Sequence, residues 1–130
     1  FIASNYHEED FSLLKNLINI TKINDIELYF IGYKNFGYNI NWFKRLSSDN
    51  NKYCFNSFDK SFLAVDEKYK HILGKNYISY YDYIHKNDKV QFSDGNGNLL
   101  SFDRLHLSKA GAIYLGPLMM SQCEFYNLQN

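Results

Sequence analysis

Phe58, Phe62, Val65, Tyr69 and Ile72 step by four, three, four and three residues. Apolar side chains at that spacing line one face of an α-helix. The stripe predicts a helix over residues 57–73, with Ser57 able to cap its start and Gly74 able to end it in a left-handed conformation. Two short apolar runs flank it, "IELYFI" at residues 26–31 and "YISYYDYI" at residues 77–84. Both are rich in aromatic and β-branched residues, and both read as strands. The first is expected to be buried on both faces, and the second to turn, if anywhere, at Asp82. Strands that alternate with helices argue for an α/β layer with a mainly parallel sheet.

The other segments extend the alternation. Residues 1–3 read as the end of a strand, with residues 4–7 as the loop at its carboxyl end. Glu8, Glu9 and Asp10 then suit the positive end of a helix dipole. Phe11, Leu14, Leu17 and Ile18 supply the apolar face of a helix over residues 8–22. A Gly- and Asn-bearing loop is expected from Gly32, followed by a short helix from Asn39 to Leu46 and a "SSDNN" loop at residues 47–51. Residues 90–92 and 99–102 flank "SDGNGN", whose Asp-Gly and Asn-Gly pairs predict a small hairpin or a tight excursion. The last helix should run from about Ser108 to Ser121, with Ser108 as its N-cap and Pro117 kinking or shortening it.

The chain has 130 residues, enough for one domain with one core. Apolar residues make up 45 % of it and aromatics 18 %, which excludes a disordered chain. Fourteen basic and fourteen acidic residues are mixed without blocks, so nothing points to nucleic acid. Cys54 and Cys123 lie far apart with no Cys-x-x-Cys or His/Cys cluster. No metal site and no cofactor is expected, and the two thiols are as readily free as paired. No run is long and apolar enough to span a membrane. The sequence starts without Met, and we expect it to be part of something longer.

In an open α/β sheet, ligands bind beyond the carboxyl ends of the strands. Three loops fall there: residues 4–7, residues 32–38, and the stretch "SFDRLHLSKAGA" at residues 101–112. That last stretch sets Asp103 three residues before His106. An imidazole titrates near neutral pH, and a carboxylate bonded to one ring nitrogen orients it as a general base. By itself an Asp-x-x-His pair also suits a surface hydrogen bond or a helix-start cap. Gly111 lets the following helix approach its neighbour closely.

The whole string "FDRLHLSKAGA" resembles the last sequence block of the SGNH (GDSL-like) hydrolases. It is closest to the branch found as a C-terminal domain on bacterial membrane O-acyltransferases that acetylate cell-surface polysaccharides. That block reads Asp, two variable residues, His, Leu, Ser or Thr, two variable residues, Gly, Ala. Asp103, His106, Leu107, Ser108, Gly111 and Ala112 match it. The lead-in also fits: a long helix, an aromatic strand, a Gly-bearing turn and a short apolar stretch into the Asp. Two features depart from the pattern. Residues 85–102 hold none of the cysteines common in that branch, and no Gly-Asp-Ser, the family's nucleophile block, occurs anywhere in the chain.

The resemblance implies a three-layer sandwich, N-terminally incomplete, that forms a single domain over residues 1–130. It implies acyl-ester transfer or hydrolysis by a Ser-His-Asp triad whose serine lies outside these residues, with His106 as base and Asp103 as its orienting acid. The O-acetyl groups would be carried on cell-surface carbohydrate, so a carbohydrate or acyl donor is the expected partner. Asn5 would supply an oxyanion-hole amide, although "IASNY" also reads as a helix cap. A membrane acyltransferase parent would hold the domain outside the cytoplasm, on the periplasmic face of the inner membrane, and would supply the domain's only membrane association. Two rivals stay open: a non-catalytic carbohydrate-binding or scaffolding remnant of the same fold, and a stand-alone esterase fragment. Ser4 lacks the flanking residues of a nucleophile, His7 reads as a loop histidine, and Cys54 as a small buried hydrophobe.

Overall fold

A computed structural model describes residues 2–3, 8–37 and 54–123. The expected strand at the amino terminus is present as β1 (Ile2–Ala3). A 3₁₀ turn at Glu8–Asp10 leads into α1 (Phe11–Ile23), whose Leu14 is buried while Phe11, Leu17 and Ile18 pack beside it. β2 spans only Phe30–Ile31, because Ile26 and Glu27 stay exposed ahead of it. The short helix expected at residues 39–46 and the loop at residues 47–51 lie outside the described residues.

β3 (Phe55–Asn56) precedes α2 (Ser61–Leu73). The helix begins four residues later than its apolar stripe predicts. Asp59 causes the delay: its Oδ1 accepts from the Ser61 N–H at 2.9 Å, while the Phe62 N–H donates to the Asp59 carbonyl. That turn occupies the chain where Ser57 would have capped. Gly74 follows the helix with the positive φ expected of it, 55°, but its ψ of −133° is not that of the left-handed helical conformation.

The run at residues 77–84 is not one strand. β4 covers Tyr77–Ile78, and the chain then coils into α3 (Tyr81–Ile84). The Ser79 hydroxyl accepts from the Tyr81 N–H at 3.0 Å, which turns the backbone out of the strand. β5 (His85–Lys86) and β6 (Lys89–Gln91) form a hairpin through Asn87 and Asp88, which stand at φ 50° and 59°. Positive φ at both central residues is what a tight two-residue hairpin requires. The "SDGNGN" segment is a tight excursion pinched by a Ser93–Leu99 bridge. Asp94 Oδ1 accepts from the Asn96 and Asn98 N–H groups there. α4 spans Lys109–Met120 and runs through Pro117, so the proline does not shorten it.

β1, β2 and β4 pair in parallel in that order, and β3, β6 and β5 form a separate antiparallel sheet. The protein is therefore α/β in general, with small sheets, and its parallel pairing is confined to one of them. Side chains on successive strand residues point to opposite faces. Phe30 and Tyr77 accordingly join Leu14 of α1 and Tyr69 and Leu73 of α2 in one apolar cluster. Tyr29 and Ile78 join Leu115 and Met119 of α4 in the other, together with Phe92, Leu100 and Cys123. Both cysteines are free thiols, and burial pushes that of Cys123 above its usual pKa.

One buried polar cluster ties α2 to the carboxyl ends of β2 and β4. The Asp66 carboxylate accepts from the Tyr77 hydroxyl at 2.8 Å and the Ser79 hydroxyl at 2.7 Å. Lys70 stands 3.4 Å from it and also pairs with Glu67 and Asp82. Gly32 closes over this cluster, since a Cβ there would come within 2.2 Å of the Tyr77 hydroxyl oxygen. The predicted stripe holds at Phe58, Phe62, Tyr69 and Ile72 but fails at one position: Val65 is 45 % exposed while Asp66 is buried in its place.

Candidate functional site

Residues 102–106 form a loop pinched at its base by an antiparallel bridge between Ser101 and Leu107. The Ser108 N–H donates to the Leu100 carbonyl at 2.9 Å, so the loop returns against the strand-like stretch that launched it. Ser108 then caps α4 as expected, accepting from the Gly111 N–H at 2.9 Å and donating its hydroxyl to the Leu99 carbonyl. Gly111 makes the closest approach in this region: a Cβ on it would stand 2.2 Å from the Leu100 carbonyl oxygen. The helix start and the loop base are therefore one packed unit.

Within the loop, Asp103 divides its two oxygens between two tasks. Oδ1 accepts from the N–H groups of Leu105 at 3.0 Å and His106 at 2.8 Å, and so fastens the turn. Oδ2 meets His106 Nδ1 at 2.5 Å. Arg104 sits between them at φ 79°, a left-handed conformation that a side chain rarely adopts and that brings His106 back over Asp103. The His106 backbone N–H, with the imidazole and the Leu105 N–H behind it, holds the Asp103 carboxyl far below the usual carboxylate range. With Nδ1 committed to the carboxylate, Nε2 is the nitrogen turned outward. The pair is open to solvent, its side chains 82 % exposed at His106 and 55 % at Asp103.

The loop after β2 meets this one. The Phe36 N–H donates to the Arg104 carbonyl at 3.0 Å. Lys34, on the same loop, carries its ammonium 5.4 Å from the centre of the Tyr80 ring and lies within the electrostatic reach of Asp103. Beside Leu107, an apolar groove of about 340 Å³ is lined by Ile31, Ile78, Tyr80, Ala112 and Met119 among others. Two of the three loops expected beyond the strand ends are thus in contact. The third, with Ser4, Asn5 and His7, lies outside the described residues, and so does the oxyanion role read for Asn5.

His71 is exposed on α2, and His85 packs edge-on against Phe58 at 5.7 Å between ring centres. Neither approaches the Asp103 loop through any contact described. Among the described residues, no group of three or more His, Cys, Asp or Glu side chains could hold a metal ion, and no helix is long and apolar enough to cross a membrane. Sequence reasoning missed Lys34. The Gly-bearing loop was legible, but the ring that receives the lysine comes from Tyr80, across the sheet. No family model, curated protein or solved structure matches this chain.

Proposed function

We propose that residues 99–112 form the acid–base half of an acyl-transfer site of the SGNH type, acting on O-acyl groups of carbohydrate with a serine supplied from outside these 130 residues. One observation carries the reading. The Asp103 carboxylate holds Nδ1 of His106 and leaves Nε2 facing outward, which is how an oriented imidazole accepts a proton from a nucleophile and returns it to a leaving group. The nucleophile would reach Nε2 on the solvent side. Attack on the ester carbonyl transfers the serine proton to His106. The protonated imidazole then gives it to the departing sugar oxygen, and water or a second hydroxyl completes the cycle by the same route.

The split core supports the three-layer arrangement that goes with this reading. α1 and α2 pack with one set of β2 and β4 side chains, and α4 with the other. An extracytoplasmic setting belongs to the same proposal, through a membrane-bound parent.

A second reading has its own support. Asp103 Oδ1 closes a local turn and the pair is widely exposed, as in a structural cap on a non-catalytic carbohydrate-binding remnant. Activity separates the two. The chain by itself should not turn over an aryl acetate above background. In a longer polypeptide that supplies the serine, His106→Ala should lower acyl transfer by about six orders of magnitude with thermal stability little changed. Near-normal transfer without His106 would leave only the remnant.

A further inference from the structure

Among the described residues, two lysines are drawn partly out of water, and they are treated differently. Lys70 lies near Asp66, Glu67 and Asp82. Burial alone would lower its pKa, but these carboxylates more than offset that and raise it. Lys34 is half-buried on the loop after β2 and has no ion pair or hydrogen bond among the described residues. Among the described residues it stands over the face of Tyr80. A ring face attracts an ammonium but accepts none of its three N–H bonds in the way an oxygen does. Burial accordingly pushes the Lys34 ammonium below its usual pKa, and the charge of Asp103 recovers only part of this.

Asp103 does not serve as that acceptor here: it lies within electrostatic reach of Lys34, but no hydrogen bond or ion pair joins the two. Its Oδ1 takes two backbone N–H groups and its Oδ2 takes the imidazole. The Lys34 loop is joined to the Asp103 loop through Phe36 and Arg104, and the ammonium lies within the electrostatic reach of Asp103. A partly desolvated cation with no oxygen acceptor among the described residues, on a ring that fixes its direction, is arranged to meet an oxyanion brought by a ligand.

We propose that Lys34 is a subsite for an anionic group of the carbohydrate, so that the saccharide bound beside His106 is an acidic one bearing a carboxylate or phosphate. This rests on the acyl-transfer reading for what the ligand does there, though not for the binding itself.

Titration of the ¹⁵N-labelled chain with glucuronate, glucose 1-phosphate and glucose, followed at the amides of Lys34, Phe36 and Leu105, tests it. One or both anionic sugars should give saturable shifts that weaken as salt is added, and glucose should give none. The stronger of the two tells carboxylate from phosphate. Lys34→Gln should weaken binding by about tenfold or more with the rest of the spectrum unchanged, and Lys34→Arg should restore most of it. His106→Ala should bind as the parent chain does. Shifts of equal size with glucose, binding untouched by Lys34→Gln, or no saturable shift with either anion would overturn the proposal. If the anion binds through Lys34 while transfer proves independent of His106, the acyl-transfer reading falls and the subsite stands. If transfer needs His106 and neither anion binds, the reverse holds.

Discussion

Gly111→Ala should destabilise the protein although it places a better helix former in a helix. Alanine gains about 1 kcal/mol over glycine inside a helix. Against that, the new Cβ would stand 2.2 Å from the Leu100 carbonyl oxygen, 2.9 Å from its carbon and 3.0 Å from its Cα. The first contact is about 1 Å short of an ordinary carbon–oxygen distance. All three atoms are backbone, so no side chain can rotate away. α4 must instead lift off the Leu99–Leu100 stretch. Overpacking of this kind costs about 1–3 kcal/mol. The shift also strains the Ser108 cap, which bonds both Gly111 and Leu99 and is worth about 1 kcal/mol more. The net expectation is a loss of about 1–3 kcal/mol, or a melting temperature lower by about 4–12 °C in a domain of this size. Gly116→Ala is the control on the same helix. A Cβ there meets nothing within 4 Å apart from its chain neighbours. The helix gain is opposed only by the proline that follows, so its stability should stay within about 1 kcal/mol of the parent. Urea melts followed by circular dichroism measure both, with an unchanged slope marking an unchanged extent of unfolding. If Gly111→Ala is as stable as Gly116→Ala, the close approach of α4 to Leu100 is not what holds this end of the molecule.

Asp66→Ala should cost about 3 kcal/mol, because it strands the Tyr77 and Ser79 hydroxyls and removes one partner of Lys70. Burial holds the Asp66 pKa above its usual value, so its stabilising contribution is complete below the unfolded value of about 4 and is lost as pH rises through the folded value. Urea melts from acid to neutral pH should therefore decline less in Asp66→Asn than in the parent chain. Asp103 has the opposite sign. Its pKa is depressed by the His106 and Leu105 N–H groups and the imidazole, so its contribution is present above about pH 4 and lost as pH falls through the folded value. Asp103→Asn should flatten that acid limb, and an unchanged limb would mean that the carboxylate is not held in this turn.

What was legible in the sequence was mostly local. Ser108 as a cap and Gly111 as a point of close approach both depend on residues within about a dozen positions, and both are found. The apolar face of α1 is legible for the same reason. α2 shows where local reading stops. Its existence follows from the stripe, but its start is set by an Asp59 turn, and its buried face admits Asp66 only because Tyr77 and Ser79 supply hydroxyls from β4 and beyond. Pattern alone assigns a charged residue to the outside, so Val65 was favoured over Asp66. The run at residues 77–84 has strand composition throughout, yet Ser79 redirects it after two residues. The hairpin at residues 85–91 gave no signal because Asn87 and Asp88 adopt positive φ without a glycine. The Lys34–Tyr80 contact joins residues far apart in sequence and was not legible in either.

The division of labour within Asp103 decides how its role can be isolated. One oxygen fastens the turn and the other meets the imidazole. An alanine removes both, so loss of activity in Asp103→Ala would not distinguish a broken loop from a disoriented base. An asparagine can keep a carbonyl oxygen on the Leu105 and His106 N–H groups while presenting its amide N–H₂ to Nδ1. The imidazole must then accept at Nδ1 and carry its proton at Nε2, where it can no longer take one from a nucleophile. In the acyl-transfer reading, Asp103→Asn in a polypeptide that supplies the serine should therefore lose activity by several orders of magnitude, as triads do when their acid becomes an amide, while the Leu105 and His106 amide resonances stay in place. Retained transfer with those resonances unmoved would mean that the Oδ2 contact orients nothing and that the aspartate is a turn residue alone.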